Sequence, residues 1–450
     1  MKVVKFGGSS LADADHFRKV IDIISSDSSR QVVVTSAPGK RFDGDIKVTD
    51  LLIKFAETVI ANQPYAEIQQ QIFARYSDIG KEFSVSSEVL DNINQKLAAL
   101  PTKQYPNDEY LMAAFKAHGE RLNAELFAAC LTAIGQPAKF VDPSEAGIIL
   151  TDNPNNASVD EETYTNLAKI KIGDERLIFP GFFGFTKNGE IATFARGGSD
   201  ITGSILARGL KADLYENFTD VDAIYAANPK IVKDPLPINK MTFREMRELS
   251  YAGFSVFNDE AIIPAIQGQV PINVKNTNNP EADGTLIVPE DELEIKSPVT
   301  GITASNRFAA LYLHRYLLNK EVGFTRKILD ILYKYGVSYE HMPSGIDDLT
   351  IIFDKSQLDS QTIKKMCADI QEAVSPDDME WIDDYAIIMV VGEGMRARIG
   401  TIENIIKPLA DNQIAVHMIN QGASRISIMI GVQEADADTS IKEIYNHFFN

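Results

Sequence analysis

Short β-branched runs separated by amphipathic stretches organise the first two thirds of the chain. Val3-Val4 precedes a segment in which Phe17, Val20, Ile21 and Ile24 recur at helical spacing, with Ser10 or Asp13 as its N-cap. Val32–Thr35 precedes the helical stretch Thr49–Ile60, and Leu177–Phe179, Ala192–Phe194 and Leu214–Asn217 continue the strand series. This alternation predicts an α/β fold, a mostly parallel sheet covered by helices. Residues 62–118 carry apolar positions at helical spacing with no strand among them, which predicts an all-helical insertion. Gly119-Glu120-Arg121 then reads as the opening of a further helix. Ile272–Val274 and Gly284–Val288 close the sheet, and the acidic run Pro289–Pro298 places a domain boundary near residue 295.

Beyond that boundary the rhythm changes. Strands at Phe308–His314, Val337–His341 and Leu349–Phe353 alternate with helices at Gly323–Tyr335 and Gln361–Val374. A second round follows, with strands at Ala386–Val391, Ile414–Ile419 and Arg425–Gly431 and helices at Ile399–Asp411 and Thr439–Phe449. Two βαββα passes of about 70 residues each make an internal repeat. A glycine stands before the first helix of each pass, Gly323 in one and Gly394 or Gly400 in the other.

Composition narrows the function classes. A chain of 450 residues, 44% hydrophobic and 24% charged, is an ordinary globular protein with room for two to four domains. A net charge of −19 with no basic block argues against nucleic acid or an anionic membrane as partner. Any phosphate site must therefore gather its own cations. No apolar run approaches the ~18 residues of a membrane span. The opening MKVVKFGG runs directly into a strand, so no leader is expected. Two cysteines, Cys130 and Cys367, and six scattered histidines predict no disulfide and no zinc site. A reducing cytoplasm is the expected compartment.

Two glycine turns carry the candidate chemistry, Lys5-Phe6-Gly7-Gly8-Ser9-Ser10 and Ala195-Arg196-Gly197-Gly198-Ser199-Asp200. A strand–Gly-Gly-Ser–helix turn aims several backbone N–H groups and a helix dipole at one point, which suits phosphate. Lys5 is placed to neutralise charge on a transferring phosphoryl group. The planar fork of Arg196 suits a carboxylate. Asp200 either orders that site or caps a helix over Ile201–Arg208, and Glu120 is suited to a substrate ammonium. Together Arg196 and Glu120 would select a zwitterion. The sequence contains no G-x-x-x-x-G-K-[ST], no protein-kinase H-R-D or D-F-G set, no G-x-S-x-G and no H-E-x-x-H.

Lys5–Ser10, Gly119–Arg121, Ala195–Asp200, Phe218–Asp222 and Val274–Thr277 together resemble the aspartate kinases of the amino-acid-kinase superfamily, and the tandem repeat resembles paired ACT domains. The likeness runs end to end. It implies an amino-acid-kinase domain over residues 1–295, a first ferredoxin-like βαββαβ (ACT) module over 307–382, and a second over 383–450 that takes 299–306 as its first strand. It implies phosphoryl transfer from ATP with Mg²⁺ to the β-carboxylate of L-aspartate, the entry step to lysine, threonine and methionine. Lys5, Gly7, Gly8, Ser9, Thr219, Asp220, Tyr225 and Lys230 match nucleotide-binding positions. Ser36, Thr49, Glu120, Arg196, Gly198 and Ser199 match aspartate-binding positions, and Asp200 matches the acid that organises the site. No protein metal site is implied.

The resemblance has gaps. Asn228-Pro229-Lys230 stands where the family carries Asp-Pro-Arg, and Ser255 and Asn258 stand where many members carry lysine and histidine. In the first repeat Gly323, Phe324, Ser338, Glu340 and Ser344 match effector-loop positions, which implies feedback by an end-product amino acid, lysine before threonine. A homodimer joined through the ACT modules is implied, with pairing into tetramers left open. The chain ends with the second repeat, as in a monofunctional kinase. Two rival readings stay open, a sibling kinase acting on another amino-acid carboxylate and a catalytically silent amino-acid sensor.

Overall fold

The computed structural model describes residues 1–195, 197–251, 253–254 and 260–449. They form two compact units, one of residues 1–224, 237–246 and 255–293, the other of residues 225–236, 247–254 and 294–450. Segments 225–236 and 247–254 thus pack with the second unit although they precede residue 295.

The first unit is built on strands β1 (Lys2–Phe6), β2 (Arg30–Thr35), β3 (Ala138–Phe140), β4 (Ile149–Leu150), β5 (Arg176–Pro180), β6 (Phe183–Thr186), β7 (Ile191–Thr193), β8 (Leu214–Thr219), β9 (Lys240–Thr242), β10 (Ile272–Asn276) and β11 (Thr285–Val288). Eight of these make one sheet in the order β3-β5-β2-β1-β8-β10-β11-β9, and β4, β6 and β7 form a small separate one. Every pairing in the large sheet is parallel except β10 with β11. Val3, Val4, Phe6 and Val32–Val34 are fully buried, as expected where helices cover both faces. The winding reverses at β1, which pairs with β2 on one side and β8 on the other. In open α/β sheets a ligand crevice forms beyond the carboxyl ends of such a pair.

Helix α1 (Ala14–Ser25) is capped by Asp13, whose carboxylate accepts the His16 N–H at 3.1 Å. Helices α2 (Val48–Ile60), α3 (Ala66–Glu82), α4 (Ser87–Ala99) and α5 (Asp108–Ala133) follow. Gly119-Glu120-Arg121 does not open a helix; it lies in the middle of α5. Gly119 is there for packing, since a Cβ on it would sit 2.9 Å from Leu52 Cδ1 and 3.1 Å from Ala37 Cβ. Next come α6 (Pro143–Ala146), α7 (Glu162–Leu167), α8 (Gly198–Gly209), α9 (Phe243–Tyr251) and α10 (Ile263–Gln267). Helix α8 begins before Ile201, so Asp200 lies inside its first turn and is not its cap.

The second unit holds one antiparallel sheet of β12 (Gly301–His314), β13 (Asp348–Asp354), β14 (Asp378–Val391), β15 (Met418–Asn420) and β16 (Ser427–Gln433), ordered β13-β12-β14-β16-β15. Helices α11 (Phe324–Tyr335), α12 (Ser360–Val374), α13 (Thr401–Asp411) and α14 (Ala437–Phe449) accompany it. Strands β12 and β14 run through both repeats. Gly301–Ser305 pairs with Ile387–Val391, and after a register slip Phe308–His314 pairs with Asp378–Tyr385. The strand expected at Val337–His341 does not form; only isolated bridges join His341 to Ile352 and Ser344 to Leu349. That expected at Ile414–Ile419 shortens to Met418–Asn420. Gly400, not Gly394, is the counterpart of Gly323: each precedes its helix at φ 84°, a left-handed conformation that glycine adopts without strain.

Candidate active site

The turn after β1 is a bare-backbone cradle. The Gly7 N–H reaches the Phe218 carbonyl at 3.4 Å, and Ser10 Oγ lies 2.7 Å from Thr277 Oγ1 in a buried pair. Thr277 N–H in turn donates to Thr219 O at 2.9 Å, and Asn276 Nδ2 donates to Asp222 Oδ1 at 2.7 Å. Three motif segments far apart in sequence are thereby tied together. A Cβ on Gly8 would stand 2.7 Å from Ala37 O, and one on Gly39 would stand 2.6 Å from the Gly8 carbonyl. Gly39 N–H donates to Gly8 O at 2.8 Å, so the segment after β2 lies directly on the cradle.

The two glycine turns meet through Lys5 and Asp200. Lys5 Nζ lies 2.7 Å from Asp200 Oδ1, which also accepts from Asn217 Nδ2 at 2.7 Å. One residue earlier, Ser199 Oγ lies 3.0 Å from each oxygen of Glu120. The first turn of α8 therefore has Glu120 at one residue and Lys5 at the next.

Glu120 is buried, and burial pushes its carboxyl up to about 7. The Ser199 hydroxyl, the Ala37 N–H and Lys5 pull the other way, while Asp200 adds to the rise. One turn along α5, Asn123 Nδ2 donates to Ser36 O at 2.7 Å and holds the end of β2. Thr49 lies in the first turn of α2. Gly181, after β5, runs so close that a Cβ on it would be 2.8 Å from Glu120 Oε2. The next residue, Phe182, is held at φ 74°, a costly value for a residue with a side chain. Its ring packs where a Cβ on Gly198 would come within 2.4 Å.

Sequence reasoning missed the residues that brace these loops. Arg75 of α3 is buried and donates to Gly39 O at 2.6 Å, Ala12 O at 3.3 Å, Ile46 O at 3.1 Å and Asp45 Oδ2 at 3.1 Å. Its neighbour Tyr76 donates to Gly119 O at 2.9 Å. An arginine in an amphipathic helix reads as a solvated surface residue, so no local signal marks it. Asp45 also accepts Arg41 Nε at 2.8 Å, and the Arg41 and Arg75 guanidiniums hold its carboxyl well below the usual range.

Arg196, Ser255 and Asn258 lie outside the described residues. Thr219 Oγ1 accepts the Asp220 N–H at 2.6 Å. Tyr225 and Lys230 belong to the segment that packs with the second unit, where Asn228 Oδ1 accepts the Lys230 N–H at 3.0 Å. Among the effector positions, Phe324 is buried behind Gly323, and Ser338 donates twice to Gln357 Oε1, at 3.0 and 3.1 Å. The Glu340 carboxylate accepts the Tyr251 hydroxyl, and Ser344 bridges Leu349. Among the described residues no three His, Cys, Asp or Glu side chains are grouped to hold a metal ion.

A model of the amino acid kinase family matches residues 1–276, and a model of the ACT domain matches residues 388–448. Aspartokinase 3 of Bacillus subtilis is 47% identical, spanning 100% of this chain and 99% of its own. The lysine-sensitive aspartokinase 3 of Escherichia coli is 25% identical, with 99% of each chain covered. The crystal structure of Clostridium acetobutylicum aspartate kinase superposes with a TM-score of 0.86 at 37% identity, covering 99% of each chain. The chain belongs to the amino acid kinase family and, within it, to the aspartokinases.

Proposed function

We propose that this protein transfers the γ-phosphoryl group of MgATP to the β-carboxylate of L-aspartate, giving 4-phospho-L-aspartate, and that its C-terminal repeats make the enzyme answer to lysine. The single observation that carries the reading is the first turn of α8, where Ser199 meets Glu120 and Asp200 meets Lys5. One short element thus joins an ammonium-accepting carboxylate to a phosphate-facing cation. In this reading the N–H groups of Gly8 and Ser9 hold the phosphates, that of Gly7 being given to the Phe218 carbonyl, and Lys5 neutralises the transferring group. Glu120 receives the substrate ammonium, Arg196 takes a carboxylate, and Ser36 and Thr49 line the same pocket.

Two anions brought to about 4 Å repel by roughly 4 kcal/mol at an effective dielectric near 20. Placing cations is therefore the main catalytic task, and the attacking carboxylate, already ionised, needs no general base. Magnesium bound with the nucleotide would supply further charge neutralisation. Asp200 is the carboxylate suited to face it: Oδ1 is taken by Lys5 and Asn217, while Oδ2 accepts from no described residue.

The lysine response is supported by the name of the Escherichia coli relative and by the glycine-led helix starts of both repeats. A hydroxamate assay with aspartate, glutamate and acetylglutamate tests the acceptor. Acyl phosphate from aspartate alone is expected, and no ADP release with any of them would overturn the reading in favour of a silent sensor. Repeating the assay with lysine, threonine and both identifies the effector, with inhibition by lysine expected.

A further inference from the structure

Helix α5 brings three residues to bear on one dipeptide at the end of β2. At Gly119 the helix comes so near that a Cβ built there would stand 3.1 Å from Ala37 Cβ. One residue on, the Glu120 carboxylate takes the Ala37 N–H as a donor. Three residues further, Asn123 Nδ2 donates to Ser36 O at 2.7 Å. The Ser36 carbonyl and the Ala37 N–H are the two ends of a single planar peptide group. An acceptor and a donor spaced i, i+3 on one helix face therefore fix its plane. On the β1 side the Ser36 N–H donates to Phe6 O at 3.2 Å. Both backbone groups of Ser36 are thus taken, and its hydroxyl has no hydrogen-bond partner among the described residues.

Asn123 is fully buried between Leu122, Ala124, Leu126 and Phe127, which are buried too, and its Oδ1 has no partner among the described residues. A half-satisfied amide in apolar surroundings costs stability that a leucine of similar size would not. What asparagine supplies there is the bond to Ser36. Resting on the aspartate reading above, we propose that Asn123 is a positioning residue: by holding the Ser36–Ala37 peptide it aims the Ser36 hydroxyl at the amino-acid substrate and keeps the Ala37 N–H on the Glu120 carboxylate. Were that peptide to turn over, its carbonyl oxygen would face Glu120 in place of the N–H. The ionised carboxylate that receives a substrate ammonium would then lose a donor and gain a repulsion.

The test compares Asn123→Leu, which keeps the buried volume and removes the donor, with the unaltered full chain. KM for aspartate rises about five- to thirtyfold while kcat and KM for ATP stay within about threefold, the pattern of a lost contact made equally in ground and transition states. The pH below which KM for aspartate climbs also moves upward, because Glu120 ionises less readily without the Ala37 N–H. Asn123→Ala removes the same donor without asking the site to accept a branched side chain, and behaves alike. An amide that only packs α5 against the sheet would change the melting temperature of both variants and leave KM for aspartate and that pH in place, which overturns the proposal. Amide hydrogen exchange in the ligand-free protein reads the same link without turnover. Faster exchange at Ala37 in the variants supports it and unchanged exchange refutes it, whatever acceptor the kinetic assay favours.

Discussion

Lys5 Nζ and Asp200 Oδ1 stand 2.7 Å apart, although the two residues belong to glycine turns far apart in sequence. Asn217 fixes the carboxylate from the other side at 2.7 Å, so the ammonium is held by a group that is itself held. A cation positioned in advance loses little when charge develops on the transferring phosphoryl group.

Lys5→Ala is expected to lower kcat at least about a hundredfold, the usual loss when one preorganised stabilising group is removed. Asp200→Asn keeps the shape and removes the anion that orients Lys5, so a smaller fall in kcat is expected, with KM for aspartate little changed. Steady-state kinetics on folded protein, checked by circular dichroism, decide both. Near-normal turnover in Lys5→Ala would remove Lys5 from the mechanism.

The buried carboxyl of Glu120 yields a pH prediction with a definite sign. Its pKa rises from 4.5 to about 7 on folding, and a substrate ammonium pairs only with the ionised form. KM for aspartate should therefore climb as pH falls below about 7, approaching tenfold per unit. The native state keeps a proton that the unfolded chain has released between about 4.5 and 7, so stability without ligand declines as pH rises through that window. Glu120→Gln should flatten both profiles. Kinetics and urea denaturation across pH 5 to 8 measure the two effects.

What the sequence announced and what it hid divide along a physical line. Strands and glycine turns were legible because β-branched runs and Gly-Gly-Ser are local signals, and Lys5, Glu120, Ser199 and Asp200 do converge. The position of Glu120 within its helix was not legible. Gly119 looks like a breaker, yet it is where α5 presses against Leu52 and Ala37, a contact that only the tertiary structure reveals. The missing strand at Val337–His341 has the same origin: Val337 and Tyr339 favour extension, but only His341 of this segment makes a bridge, to Ile352. Arg75, Tyr76, Asn123 and Asn217 act through long-range hydrogen bonds, and no window of sequence contains both partners.

Arg75 should prove to be a structural clamp on two catalytic loops. Its guanidinium serves three backbone carbonyls and Asp45, a fan of donors that a lysine ammonium cannot reproduce. Arg75→Met strands those acceptors and leaves Asp45 only Arg41, for which a loss of about 3 kcal/mol is expected in urea denaturation. Arg75→Lys should recover less than half of it. Unchanged stability in both variants would mean that the 39–46 loop holds its shape without α3.

Gly39 and Gly44 lie in that same loop and separate two roles of glycine. Gly39 touches the phosphate cradle: a Cβ there would come 2.6 Å from both the carbonyl carbon and oxygen of Gly8, and 2.9 Å from Ser9 N. Those atoms are backbone and cannot turn aside, so Gly39→Ala must push the loop and the cradle apart. Gly44 sits at φ 89° with nothing within 4 Å of its Cβ position, so Gly44→Ala meets only the backbone penalty of about 1–2 kcal/mol. Gly39→Ala should therefore raise KM for ATP about tenfold or more, because the N–H groups of Gly8 and Ser9 lose their aim. Gly44→Ala should lower the melting temperature slightly and leave KM for ATP unchanged. Fluorescent-nucleotide titration alongside thermal denaturation distinguishes the pair, and equal nucleotide affinity in the two variants would show that the loop does not set the cradle.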